Sequence, residues 1–158
     1  MQMITKHIPI NKTRDEVVRM GMEWIGTPYM HRAAIKGKGV DCLGLIRGIL
    51  KEIHGEDIVK PLMPNYQQSW HQIHYGEPFL RLAGTFLERS KRASLEGLPA
   101  DVIVIRPSKK NTYKHCGILT SSNTMIHAYA GNEVVKYTIP NAWLRDAQLF
   151  QFPGIKEN

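Results

Sequence analysis

The sequence predicts an α+β fold, in which helices come first along the chain and an antiparallel sheet follows. Before residue 90, apolar residues recur every three or four positions, as they do on one face of a helix. After residue 100, short β-branched runs alternate with turn residues. The 158 residues, 42% of them apolar, suit one hydrophobic core, so we expect a single domain over residues 1–158.

The first helix is predicted over Arg14–Ile25. Thr13 and Glu16 stand three residues apart just before an apolar stripe, which is the pattern of a capping box. The segment GTPY at 26–29 should end this helix, because glycine and proline both favour a turn. Residues 30–39 are then expected to form a loop.

The second helix is predicted to begin at Asp41 or Cys42 and to end before Gly55, since apolar residues keep helical spacing between these points. Residues 60–78 are rich in proline, glutamine and aromatic residues and are expected to form a long loop. A third helix is predicted over Pro78–Arg89. The helical part of the fold should therefore end before residue 90.

Five strands are predicted in the second half of the chain, each a short apolar or β-branched run bounded by turn residues. Because these runs follow one another closely, we expect them to pair as an antiparallel meander. They cover Asp101–Arg106, His115–Thr120, Thr124–Ala128, Glu133–Thr138 and Gln148–Phe152.

The formal charge of +7 reflects either solubility or an anionic partner, such as nucleic acid or an acidic cell-wall polymer. Basic residues are scattered, without a run of five or a nucleic-acid-binding motif, so we expect no nucleic-acid partner. No apolar run approaches 18 residues, which predicts no membrane span. The first residues lack the apolar centre of a signal peptide, and we expect synthesis in the cytoplasm without an export signal.

Cys42 is a candidate nucleophile because of its place at a helix start. A cysteine attacks as a thiolate, and the unpaired amides and dipole of a helix N-terminus lower its pKa. The neighbouring carboxylate of Asp41 opposes this effect unless its charge points away from the sulfur. A lone cysteine at a helix start is more often structural, so the assignment depends on a histidine close by.

His115 and His127 lie on the two arms of a predicted hairpin, HCGILTSSNTMIHA. If residues 121–123 form a three-residue loop with Asn123 left-handed, Gly117 pairs with His127. His115 then becomes a diagonal neighbour of His127 on the same face, and Gly117 places no side chain between the two rings. A shift of one residue would break this arrangement.

Cys116 is predicted to be a core residue, because strand alternation turns it to the face opposite His115. A zinc site built from both cysteines and the two hairpin histidines would lack the short ligand spacings of structural zinc sites. His71 and His74 form a weak metal-binding pattern that surface residues explain better. Motifs for a serine nucleophile, a phosphate loop or a dinucleotide are missing from the sequence, and we expect no metal and no cofactor.

Four segments occur along the chain in this order: WIGTPY (24–29), DCLGLI (41–46), HCGIL (115–119) and MIHA (125–128). With these segments the chain resembles the NlpC-type papain-like cysteine peptidases of bacterial cell walls over about residues 15–152. The run that starts at Asp101 is similar to the first core strand of that family. The resemblance implies a papain-like fold, with N-terminal helices packed on a central antiparallel sheet of about five to six strands.

The resemblance implies roles for individual residues. Cys42 corresponds to the nucleophile, His115 to the base, and His127 to the polar residue that orients the base. Asp41 corresponds to a residue that binds the free amino end of a peptide, and Tyr29 to a residue of the cleft.

Two departures from the family pattern bear on substrate binding. Leu43 stands where the family usually has serine, and we count it among the substrate-binding candidates; MHRAA (30–34) stands where the family usually has Trp-Gly-Gly. With HCGILT and MIHAY, these departures resemble the subgroup encoded by bacteriophages and gene transfer particles. The loop 60–78, with its aromatic residues, either walls the cleft or is pinned to the core.

The resemblance implies hydrolysis of peptidoglycan stem peptides, at the bond between γ-D-glutamate and the diamino acid. Such a protein would act at the cell wall after delivery by a phage-like particle, with peptidoglycan and phage tail proteins as partners. The alternatives are an amidase that cuts the sugar–peptide bond, an acyltransferase with the same cysteine and histidine site, and a non-catalytic tail assembly component.

Overall fold

The computed structural model describes residues 7–59 and 76–158 of the chain. Their helices are α1 (Arg14–Met22), α2 (Cys42–His54), α3 (Pro78–Phe86) and α4 (Asn141–Leu144). Their strands are β1 (Ala34–Ile35), β2 (Gly39–Val40), β3 (Glu88–Arg89), β4 (Val102–Ile105), β5 (His115–Ser121), β6 (Thr124–Ala128), β7 (Val134–Thr138) and β8 (Gln148–Gln151). The predicted α+β class is confirmed, with helices first and a six-stranded antiparallel sheet after them. No helix in these two ranges is long and apolar enough to cross a membrane.

The predicted capping box and second helix are confirmed. The Thr13 hydroxyl accepts from the Glu16 backbone N–H at 3.2 Å, and the Glu16 carboxylate accepts from the Thr13 N–H at 2.7 Å. Helix α2 begins at Cys42 and ends at His54, and the capping residue Gly55 takes the left-handed conformation (φ 76°) that glycine adopts without steric cost. Both helix ends are therefore set by local sequence signals.

The predicted ends of two helices and one predicted loop were wrong. Helix α1 stops at Met22 instead of Ile25, because the next residues tighten into a turn with i→i−3 hydrogen bonds. Helix α3 stops at Phe86, since residues 88–89 pair with β8 as a strand. The predicted loop 30–39 contains β1 and the first residue of β2, and these strands form a small hairpin in front of α2.

The strand order of the main sheet is β3-β8-β4-β5-β6-β7. The predicted meander is confirmed for β4 to β7, but the last strand does not continue it. After α4 the chain returns to the other side of β4, where β8 lies between β3 and β4. Leu149 and Phe150 are neighbours on β8 and both are buried, so this interior strand is covered on both faces. The edge strand β7, by contrast, exposes alternate residues.

The sheet separates two apolar clusters. Helices α1 and α2 cover one face, and Gly48 lets α2 come close to the turn after α1: a Cβ there would lie 2.3 Å from the Trp24 ring. The other face is covered by α4, with Trp143 packed over strand residues that include Leu119 and Met125. The N-terminus of α2 consequently meets the sheet at the beginning of β5.

A buried ion cluster ties the first helix to the first central strand. The Asp101 carboxylate, fully buried, accepts hydrogen bonds from Arg14 at 2.9 Å, from Arg92 at 2.6 Å and from the Leu98 N–H at 2.8 Å. Arg14 also binds Glu157 at 3.1 Å. Every charge in the cluster has an opposite partner, which is the condition for charged groups to be tolerated inside a protein.

Candidate active site

Asp41 places Cys42 at the first position of α2. One carboxylate oxygen of Asp41 accepts from the Gly44 N–H at 2.7 Å, which caps the helix, and the other accepts from the Arg32 N–H at 2.7 Å. Asp41 is 3% exposed, and these two backbone N–H groups stabilise its buried carboxylate charge. This arrangement explains how an aspartate is accommodated beside a cysteine thiolate.

The hairpin of β5 and β6 has the predicted register in its body but a different turn. Ile118 pairs with Ile126, and the same register places Gly117 opposite His127. The turn itself was predicted wrongly: Ser121 pairs with Thr124 across a two-residue turn, and a bulge lies between Leu119 and Ser121. Asn123 is not left-handed, so the positive φ expected there is absent. The turn is one residue shorter than predicted, and the bulge adds one residue to β5. The two changes cancel, so the register of the histidines is preserved.

His115 and His127 are in direct contact, as the hairpin geometry predicted. Nε2 of His115 lies 2.7 Å from Nδ1 of His127, and the rings meet edge to face with centroids 4.9 Å apart. Gly117 allows this approach, since a Cβ there would come within 3.2 Å of the His127 Cβ. The two imidazoles therefore share a hydrogen bond that fixes the orientation of each ring.

Cys42 is half-buried and lies beside both His115 and Cys116. A hydrogen bond from Cys116, and then the hydrogen bond and charge of His115, lower the pKa of Cys42 to about 5. Burial and the charge of Asp41 act in the opposite direction. Near neutral pH the sulfur is thus a thiolate, the form in which cysteine is a nucleophile.

Cys116 is 1% exposed, so its predicted core position is confirmed. Its contact with Cys42 was not predicted: the Cys116 thiol donates to the Cys42 carbonyl oxygen at 3.3 Å. The hydrogen bond with Cys42, followed by burial, raises the pKa of Cys116 well above its usual range. The proton consequently stays on Cys116, whose S–H donates to the backbone carbonyl of Cys42.

His127 is 1% exposed, and its burial, followed by the charge of His115, lowers its pKa to about 4. It is therefore neutral at pH 7. If the Nε2–H of His115 donates, His127 accepts through Nδ1 and carries its own proton on Nε2. In the described part of the chain that Nε2 has no hydrogen-bond partner, and the ring packs against Tyr129 and Tyr137 instead.

The three candidate residues open into a cleft of about 480 Å³. Tyr29 lines it, as predicted. Leu43 does not: its side chain is 3% exposed and lies in the core, so the predicted contact with substrate is not supported by its position. Sequence reasoning missed Trp143 and Lys114, because the first lies on a short helix without a clear periodic signal and the second in a loop. The described residues that line the cleft are Tyr29, Cys42, Ile105, Pro107, Lys114, His115, His127, Ala128, Tyr129, Ala130 and Trp143.

Two other predictions concern metal binding and the long loop. Within residues 7–59 and 76–158 no group of three or more histidine, cysteine or acidic side chains is arranged to hold a metal ion. His71, His74 and residues 60–75 of the predicted loop 60–78 lie outside the described residues.

Comparison with known proteins gives a consistent match. The model of the NlpC/P60 family matches residues 26–150. The NlpC/p60 domain of the peptidoglycan hydrolase SagA is 18% identical, with a TM-score of 0.50 over 80% of this chain and 89% of that one. NlpC2 from Trichomonas vaginalis is 15% identical, with a TM-score of 0.58 over 96% of this chain and 50% of that one. No curated protein sequence matches the chain.

A third similar structure, an NLP/P60-family protein of Staphylococcus aureus described as similar to a lipoprotein, is 16% identical, with a TM-score of 0.55. It is covered over 43% of its length, while 90% of this chain is aligned. The chain thus spans about half the length of two of these three relatives. At such identities the likeness concerns the fold.

Proposed function

The chain belongs to the NlpC/P60 family, and on that premise we propose that it is a cysteine peptidase that hydrolyses the stem peptides of peptidoglycan. The observation that carries the proposal is the contact of three residues in one cleft. The Cys42 thiolate stands at a helix N-terminus beside His115, and His115 is held by a 2.7 Å hydrogen bond to His127. This is the arrangement of a nucleophile, a base and an orienting group.

The reaction begins when the Cys42 thiolate attacks the carbonyl carbon of a peptide bond. The carbonyl electrons move to oxygen, and the backbone N–H of Cys42 at the helix start is placed to stabilise that oxyanion. His115, protonated in the ion pair, gives its proton to the leaving nitrogen as the C–N bond breaks. The products of this step are a free amine and a thioester on Cys42.

The second half of the reaction releases the acyl group. Neutral His115 removes a proton from water, the water oxygen attacks the thioester, and the C–S bond breaks. The carboxylic acid leaves, and Cys42 returns to the thiolate with His115 protonated again. No metal is required for either half.

His127 acts as a positioning residue for His115. Because its pKa is lowered to about 4, it stays neutral while His115 gains and loses a proton. A neutral ring can keep accepting the Nε2–H of His115 in both states. This hydrogen bond leaves the other nitrogen of His115 directed toward Cys42.

We assign the cut to the bond between γ-D-glutamate and the diamino acid, on the resemblance of the motifs. The position of Tyr29 in the cleft supports a site for a short peptide, whereas the carboxylate of Asp41 is buried next to Cys42 and is not among the described residues that line the cleft. Association with a phage tail, and delivery to the cell wall by a phage-like particle, rest on the motif resemblance alone and belong to the same proposal.

Mass spectrometry of purified peptidoglycan fragments tests this function. Fragments are incubated with the wild type, with Cys42→Ala and with Ser122→Ala, an exchange in the exposed hairpin turn that should leave activity unchanged. Cleavage between D-glutamate and the diamino acid by the wild type and Ser122→Ala, but not by Cys42→Ala, is expected. Cleavage between the sugar and L-alanine would indicate an amidase, and intact fragments with folded, reduced protein would refute the hydrolase assignment.

A further inference from the structure

Apart from the reacting Cys42 and the two histidines, the charge carried by the described lining of the cleft is positive. Of the described residues that line it, Lys114 is the only one with a permanently charged side chain, and none of them carries a carboxylate. The remaining lining is apolar or aromatic apart from the reacting groups. Among these residues, a bound ligand that carries a carboxylate would therefore meet the ammonium of Lys114, and the one anion, the Cys42 thiolate, is paired with His115.

Lys114 is held in place by its backbone, and its side-chain charge has no ion-pair partner within residues 7–59 and 76–158. Its backbone N–H donates to the Ile105 carbonyl at 3.0 Å, which holds the residue directly before His115 at the start of β5. The side chain is half-buried, and none of the ion pairs of the described residues involves it. By contrast Arg106, at the other end of the same loop, is paired with Asp146.

Basic residues continue beyond the cleft, in the segment that leads to Lys114. The segment 106–114, RPSKKNTYK, contains four basic and no acidic residues. A neighbouring concavity of about 530 Å³ shares Pro107 with the cleft and is lined by Lys109, Arg145 and Asp146. Since Asp146 is already bound to Arg106, the other charged side chains described in this concavity, Lys109 and Arg145, are both positive.

We propose that Lys114 binds a carboxylate of the substrate next to the scissile bond, and that the enzyme is selective for acidic peptides over their amidated forms. This inference rests on the proposed function, since it concerns the substrate of the same cleft. The carboxylate can come from the α-carboxyl of the glutamyl residue or from the carboxyl of the diamino residue. A lysine suits either, because its ammonium acts as a point charge on a flexible stem.

The test compares synthetic stem peptides that differ only in one group. One peptide carries both carboxylates, a second has the glutamyl α-carboxyl amidated, and a third has the carboxyl of the diamino residue amidated. The value of kcat/KM is measured for the wild type, Lys114→Met, Lys114→Arg and Lys110→Met. Methionine keeps the apolar stem without the charge, and Lys110 is an exposed lysine of the same segment that does not line the cleft.

The kcat/KM of the wild type should be about tenfold lower for one of the two amidated peptides than for the acidic peptide, a ratio that corresponds to ~1.4 kcal/mol. Lys114→Met should bring this ratio close to one, mainly by slowing the acidic peptide, and Lys114→Arg should restore most of it. Lys110→Met should keep the wild-type ratio. A ratio that Lys114→Met leaves unchanged would overturn the inference while the hydrolase assignment stands.

Calorimetric binding of the same peptides to Cys42→Ala, with and without Lys114→Met, separates the two claims. If the wild type cleaves none of the peptides but Cys42→Ala binds the acidic form more tightly through Lys114, the proposed function fails and the carboxylate site stands. If the acidic form binds no better than both amidated forms, or no peptide binds, the carboxylate site is refuted.

Discussion

Acid should destabilise the fold through His127, and the size of the effect follows from its pKa. The value is about 4 in the folded protein, against 6.5 for an ordinary histidine. A group with a lowered folded-state pKa binds its proton more readily in the unfolded chain, so stability is lost as the pH falls below 6.5, down to about 4. The contribution of His127 between pH 7 and pH 5 amounts to about 2 kcal/mol, and to about 3 kcal/mol by pH 4.

The perturbation is His127→Asn. The asparagine amide can keep an acceptor where Nδ1 stands, removes the buried Nε2 that has no partner in the described residues, and does not titrate. Histidines common to both proteins cancel when the variant is subtracted from the wild type. The free energy of unfolding of the wild type should therefore fall by about 2 kcal/mol more than that of the variant between pH 7 and pH 5.

Urea unfolding followed by tryptophan fluorescence, at half-unit steps of pH under reducing conditions, measures this difference. His7→Asn makes the same exchange at an exposed histidine distant in sequence from the hairpin and serves as the control. If the wild type and His127→Asn lose stability in parallel, His127 is not a neutral, buried ring, and the account of how it positions His115 is wrong.

Three further predictions test how the site is held. Cys116→Val removes the thiol donor at nearly constant volume, so the pKa of Cys42 should rise; Cys116→Ser should restore part of the shift, as read from thiolate absorbance near 240 nm. Asp101→Asn leaves the buried guanidinium of Arg14 without its full partner and should lower the free energy of unfolding by about 3–5 kcal/mol in urea titrations; a change below 1 kcal/mol, about the scale of an exposed pair, would contradict the burial argument. Gly44→Ala places a Cβ 1.9 Å from a backbone carbonyl oxygen of the preceding loop, and a lowered melting temperature with slower alkylation of Cys42 is expected; a variant as stable and reactive as the wild type would show that this contact is not tight.

The parts of the site that were predictable from the sequence are those fixed by short-range rules. The helical spacing of apolar residues placed Cys42 at or next to the start of α2, and alternation along β5 and β6 brought His115 to His127. The wrong turn prediction did not change the predicted register, because the buried faces of the two strands set that register. A bulge in β5 makes up for the shorter turn. Burial pattern is thus a stronger guide to register here than turn length.

The parts that were not predictable depend on which surfaces meet in space. Leu43 follows Cys42 directly, yet its side chain is buried, because α2 is covered on several sides and leaves little of its first turn open. The return of β8 to β4 and the exposure of Lys114 to the cleft are set by chain crossings and a loop, which periodicity does not encode. The contact of Cys116 with Cys42 likewise joins residues 74 positions apart.

The rate of alkylation of Cys42 by iodoacetamide as a function of pH tests the central claim, that this cysteine is an activated nucleophile. Peptide mass spectrometry distinguishes Cys42 from the buried Cys116, and His115→Ala is measured beside the wild type. In the wild type the reaction of Cys42 should reach half its maximal rate near pH 5, and in His115→Ala at a higher pH. A wild-type Cys42 that reacts only above about pH 8, as an ordinary thiol does, would contradict the account.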